Sequence, residues 1–535
     1  MNTLSTIKFS TSLDITTLTP TEIANFTVTE IASFSSTQLT ELTSEQLAAL
    51  SVSQLASLKL KLISTQAFAG IDPENISALD FKALTSEQVA ALSIEQVNAL
   101  TVAQLKEMTN AQASALTGEQ TAELTSQQIS ALSSSVIKNL TDSAISAITG
   151  DAIAGITTKN IAGLTSTKIT ALTVEQANVL TSIQIKALDS AVLQAFESED
   201  LAALNVIAIK GFVKENIGGI SLSSLTGEQF SALTPQQISW LKSSQIAEIH
   251  SETAVLISSS VLSAMTSTQV AVLSTDAINN LDSSAISGLN SKNIMGLKVA
   301  QIAALNSDQA AALTSTQVKL LSSTQVAAIE LEDIAALQPS ALKGFSTAMI
   351  PNLKSEAFAL LTSEQMAAFT PDQVSKFTSG QITKIGVDQI VAMSSTQLSK
   401  MTSAQFAFLN VENVSSLPIS VVNKLSAAQI KALTPEQTAG LTGTQLNSLT
   451  AAQLSGFTSA QIEQITLNTF KALSTAMISA LTTDAVQGIT PAQLEKLSKT
   501  SNGQLEQFQP AQAAKFSADV IDWITGKKFA VIKSN

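Results

Sequence analysis

From Leu225 to Leu497 every eighth residue is large and apolar, 35 times in succession without a miss. The same spacing runs from Leu84 to Ile220, through Ile63, Ile71 and Leu79, and from Leu18 to Leu58. It resumes at Phe508, Phe516 and Ile524. A stretch such as LTSEQVAALSIEQVNALTVAQLKEM (Leu84–Met108) is three nearly identical octads in a row. A fixed short period over most of a chain means a stacked repeat architecture, in which each unit buries its apolar face against its neighbours.

With the large apolar residue as position 1, the octad reads L-T-S-x-Q-[IV]-x-A. Position 6 is also apolar, as at Val89, Val97, Phe230, Ile238 and Ile278. Position 2 is mostly Thr or Ser, position 5 is often Gln, and position 8 is often Ala or Gly.

Three conformations can be weighed against this period. Along one continuous helix, eight residues advance by about 800°, so the apolar stripe drifts by roughly 80° per octad and never forms a seam. In a strand, positions 1 and 6 face opposite sides. A β-helix-like solenoid with a turn per octad remains the alternative, but Ala and Gln are poor strand formers. One short helix per octad fits best, because the chain spells its own helix starts. Thr434–Gln437, TPEQ, places Thr at the N-cap, Pro at the first helical position and Gln at the third. Eight of the ten prolines share that third octad position: Pro20, Pro73, Pro235, Pro339, Pro371, Pro435, Pro491 and Pro510. Pro351 and Pro418 lie near unit junctions. Such a helix has about six residues and spans roughly 9 Å. It is unstable alone and must be buried against other octads. The expected fold is therefore an all-α solenoid of very short helices.

Organisation follows from the interruptions. Residues 1–17 read as an N-terminal cap, residues 18–224 as an octad solenoid, and residues 225–497 as an uninterrupted one. Five-residue units replace octads at 58–62, 79–83 and 220–224. Each is expected to be a shortened helix or tight corner, and each is a candidate bend or boundary. Residues 498–507 read as a linker and residues 508–535 as a C-terminal cap or docking segment carrying Trp523, Lys527, Lys528 and Phe529–Ile532.

Composition narrows the chemistry. Cysteine is absent, so no disulfide, thiolate nucleophile or cysteine-bound metal can form. Net charge is −13 and no basic stripe is interleaved with aromatics, which argues against nucleic acid as a partner. The opening MNTLSTIKFSTSLDITTLTP is not a Sec signal peptide, and no apolar run is long enough to cross a membrane. His250 is the only histidine; despite Glu248 and Glu252 nearby, it reads as a surface residue at the capping position. Gly218 and Gly219 lack the lysine of a phosphate-binding loop and read as a turn. The carboxylates Glu197 and Glu199 read as a solvated face. Asn25 and Asn413 match the N-glycosylation pattern, which recurs by chance in so Ser/Thr-rich a chain. No catalytic, cofactor-binding or metal-ligating residue is assigned. Calcium between octads is the minor alternative, with Asp72–Glu74 and Glu330–Asp333 the densest acidic groups, though neither resembles an EF loop.

The long arrays of L-T-x-x-Q-[IV]-x-A resemble repetitive, cysteine-free, Ser/Thr/Ala-rich bacterial surface and secreted proteins, including adhesin-like and surface-layer proteins. That resemblance implies an extracellular or cell-surface location without a recognisable Sec signal. The regular array, the low share of charged residues and the absence of cysteine and of catalytic clusters lead to the expectation of a non-enzymatic structural role as a subunit of a surface layer, sheath, stalk or filament. The assembly expected is a homo-oligomer or polymer. The alternative is an adhesin-like module that recognises a glycan or protein through the solenoid face.

Overall fold

The computed structural model describes residues 8–497 and 503–526. Its two compact units are Met1–Leu256 and Ile257–Asn535. Within each, the described residues form short α-helices and 3-10 helices and no strands. The solenoid of one helix per octad is thus the fold, and the β-helix alternative falls. Backbone groups that a β-helix would pair between strands are closed here inside each helix and by its caps.

The octad Leu313–Leu320 shows how the sequence produces one unit. Thr314 has extended backbone angles (φ −91°, ψ 160°) and caps the helix Ser315–Leu320. Its hydroxyl accepts the Gln317 N–H at 3.3 Å, and Gln317 Oε1 accepts the Thr314 N–H at 2.8 Å. Leu321 returns to extended geometry, and its N–H closes the helix on the Val318 carbonyl. Leu313, Val318 and Leu321 are buried. A buried Leu or Val side chain contributes about 1.5–3 kcal/mol. The eight prolines at octad position 3 all lie in the first turn of a helix, where the missing N–H costs nothing. Pro418 is itself an N-cap, and Pro351 lies in the short 3-10 helix Ile350–Asn352.

Each helix packs mainly on the one three octads away: Ser307–Ala311 on Leu331–Ala336, Pro435–Ala439 on Ser459–Gln464, and Gly118–Ala122 on Asp142–Ala147. About three octads therefore close one turn. Position 8 sits over the start of a helix in the turn before. A Cβ on Gly219 would lie 2.0 Å from the Ser190 carbonyl oxygen, and one on Gly288 would lie 2.2 Å from that of Ser259. Glycine is required at these positions by close approach of backbone to backbone. The five-residue units are three-residue 3-10 helices, Leu60–Leu62, Phe81–Ala83 and Leu222–Ser224, each standing where an octad would stand.

Candidate functional site

The dominant polar feature of each unit is a ladder of buried amides. Gln317 Nε2 donates to the carbonyls of Ile286 at 2.6 Å and Leu289 at 2.9 Å, 31 and 28 residues earlier. Gln309, Gln381 and Gln461 repeat that pattern with the same spacing. Across a five-residue unit the spacing drops by three residues and the bonds persist: Gln237 donates to Ile209 and Phe212, 28 and 25 residues back. Asparagine can take the same place, as Asn216 does by donating to Ile185 at 2.9 Å and Leu188 at 3.1 Å. The capping-box reading explains only the oxygen of the position-5 amide. Its nitrogen, which sequence reasoning missed, ties one turn to the next. The signal available was the choice of Gln over Glu, since either can serve a capping box. Each bond is worth about 0.5–1.5 kcal/mol net, and removing a donor strands buried carbonyls at a larger cost.

The residues singled out by sequence fall into structural roles. His250 is an exposed N-cap of Ser251–Ala254 and makes no capping bond with its side chain. Glu248 points elsewhere: its Oε2 accepts from Ser221 Oγ, Leu222 N–H and Ser223 N–H, capping the 3-10 helix Leu222–Ser224 of a five-residue unit. Gly218 gives its carbonyl to Lys242 Nζ at 3.1 Å, and Gly219 packs as described. Asp72 caps Pro73–Ala78 by accepting the Glu74 N–H at 2.9 Å. Glu330 pairs with Lys354 at 2.6 Å. Asn25 is exposed, whereas Asn413 is buried and donates to the Ile385 carbonyl at 2.8 Å, so only the first could accept a glycan in this fold. Trp523 lies in the helix Ala518–Gly526, while Lys527, Lys528, Phe529–Ile532 and linker residues 498–502 lie outside the described residues; the rest of the linker carries the 3-10 helix Gln504–Gln507.

Among the described residues, no group of three or more His, Asp or Glu is arranged to hold a metal ion, and no helix is long and apolar enough to cross a membrane. Open surface hollows with apolar rims lie in both units. One in the first unit, about 380 Å³, is bordered by Val179, Leu180, Asn205 and Ile207, with Ile207 66% exposed. One in the second, about 620 Å³, is bordered by Met295, Lys298, Val299 and Leu320, with Met295 68% exposed.

Comparison with known proteins gives a local likeness. A family model described as the ALTTAQ repeat matches residues 286–323, the stretch that contains the Gln309 and Gln317 clamps. No curated protein matches the chain. A solved structure named "Structure of APUM23-GGAUUUGACGG" aligns over 95% of this chain and 90% of that one, at 12% identity and a TM-score of 0.15. The chain is a repetitive, cysteine-free helix-repeat protein with one stretch similar to the ALTTAQ repeat.

Proposed function

We propose that this protein is a non-enzymatic structural component of an extracellular or cell-surface assembly, such as a surface layer, sheath, stalk or filament. The observation that carries the reading is the amide ladder. Side-chain hydrogen bonds run from turn to turn along each unit, in addition to apolar packing. A protein that bears load along its stack gains from such ties, because pulling turns apart must break several buried bonds together. A catalyst has no comparable need for the same tie in octad after octad.

Sedimentation and negative-stain electron microscopy of the purified full chain, with and without millimolar calcium, test this reading. Filaments or sheets support it. Monodisperse particles in both conditions, across a wide concentration range, count against it. A second reading, an adhesin-like module for a glycan or protein, draws on the hollow beside Ile207. In a glycan and cell-surface binding screen it requires binding that Ile207→Asp abolishes.

A further inference from the structure

Two octads set a buried carboxyl where the ladder amide stands, and their sequences differ only at Ser198/Leu331 and Leu201/Ile334. Residues 197–204 read ESEDLAAL and residues 330–337 read ELEDIAAL. One lies in each compact unit. Asp200 and Asp333 stand at position 5 and are only 4% and 3% exposed. The other buried polar residues of that register are amides, which both accept and donate; a carboxylate can only accept. Asn413, isosteric with Asp and set in a comparable α-helix (Val411–Ser415), shows how far such a side chain reaches. Its Nδ2 donates to the carbonyl 28 residues back, Ile385. The equivalent carbonyl is Leu305 for Asp333 and Leu172 for Asp200. Asp333 Oδ1 accepts from Ser307 Oγ at 3.1 Å, while its buried Oδ2 has no hydrogen-bond partner.

We propose that Asp200 and Asp333 join the ladder as neutral carboxylic acids, each donating its O–H to the carbonyl of the preceding turn at Leu172 or Leu305, so that loss of this proton as pH rises opens one joint in each unit.

The surroundings favour the neutral form. Burial pushes both carboxyls above the usual carboxylate range, and flanking negative charges add to it: Glu197 and Glu199 for Asp200, Glu330 and Glu332 for Asp333. For Asp333 the Ser307 hydrogen bond and Lys354 oppose the shift. The elements packed on Asp333's helix are Ser307–Ala311, which carries Asp308, and Ser355–Ala359, which carries Glu356. Those packed on Asp200's helix are Val174–Asn178, which carries Glu175, and Leu222–Ser224, which carries no charge. Lys354 is the one cation in this set, and it is engaged by Glu330. A carboxyl raised in the folded state stabilises fully below its unfolded value, about pH 3.9, and that contribution disappears as pH climbs through the folded value.

The test is thermal unfolding of the full chain and of the D200N/D333N double variant from about pH 4 to about pH 8. Asn supplies the hydrogen permanently and keeps the shape. The wild type should lose Tm toward neutral pH more steeply than the variant, and the variant should lie about 2–4 °C above it at the upper end. In the infrared difference spectrum of wild type minus double variant, a carboxylic-acid carbonyl band should persist above about pH 6, where ordinary carboxyls are ionised, and disappear as Tm falls. Parallel Tm profiles, or no such band, would overturn the proposal. So would rescue of the wild type, but not the variant, by millimolar calcium at neutral pH, since a cation would then fill the joint.

Discussion

The octads at Leu18 and Phe26 and the octad at Leu42 build the same helix start with position-5 side chains that differ in one heavy atom. In the first two, position 5 is Glu: Glu22 Oε2 accepts from the Thr19 N–H and hydroxyl, both at 2.8 Å, and Glu30 does the same for Thr27. In the third it is Gln46, whose Oε1 accepts the Thr43 N–H at 3.0 Å while Nε2 donates to Ile15 and Leu18, both at 2.9 Å. Glu22 and Glu30 are half-buried; Gln46 is fully buried. The cap therefore specifies an oxygen at this position, and the neighbouring turn specifies a nitrogen. Where a preceding turn offers carbonyls, only an amide serves both, or, on the proposal above, an acid that keeps its proton.

The harshest way to break this comparison is to carry the glutamate into the interior. Gln317→Glu keeps the cap's oxygen but turns a carboxylate toward the Ile286 and Leu289 carbonyls. An uncompensated buried charge should cost about 3–5 kcal/mol at neutral pH. Part of that loss should return on acidification, when the carboxyl regains a hydrogen. Denaturant unfolding at two pH values measures both. A variant as stable as the wild type at neutral pH would show that the ladder nitrogen contributes little and that only the cap matters.

A smaller effect isolates packing from hydrogen bonding. Gly219→Ala leaves the ladder intact but sets a methyl 2.0 Å from the Ser190 oxygen, so backbone must move. Overpacking of this kind costs about 1–3 kcal/mol. Gly227 is the control, since its Cβ would meet only the tip of Leu256 at 3.0 Å, a side chain able to shift. Thermal unfolding of Gly219→Ala and Gly227→Ala should separate clearly. Equal Tm values would mean that the turns have room to spread.

Much of this was legible in the residues themselves. Period eight, Thr at position 2 and Pro at position 3 dictate short capped helices, because each acts within a few residues of itself. The number of octads per turn was not legible. It depends on which carbonyls stand opposite a glutamine some 28 residues on, and no local pattern records that distance. Glu248 illustrates the same limit. It stands two residues from His250 in sequence, yet it caps a helix 25–27 residues away. A signal of the ladder is nonetheless present in the chain: Glu at 22 and 30 against Gln at 38, 46 and 54, where the amide brings a nitrogen that the cap does not use.

The gentlest change sharpens the comparison most. Glu22→Gln keeps the acceptor that Thr19 needs and alters only a group that the cap does not use, so Tm at neutral pH should not measurably change. The acid limb should differ. The Thr19 backbone N–H, followed by its hydroxyl, holds the Glu22 carboxyl below the usual carboxylate range. Its contribution is therefore present above the unfolded value and fades as pH falls through the lower folded one. Glutamine does not titrate, so the variant should lose less Tm on acidification than the wild type. That slope is opposite in sign to the one expected from Asp200 and Asp333. A carboxyl that only accepts strengthens a helix start as it ionises, while a carboxyl that must donate weakens the turn stack as it ionises. If Glu22→Gln instead raised stability at neutral pH, a donor at this position would be finding a carbonyl, and the first octads would belong to the ladder after all.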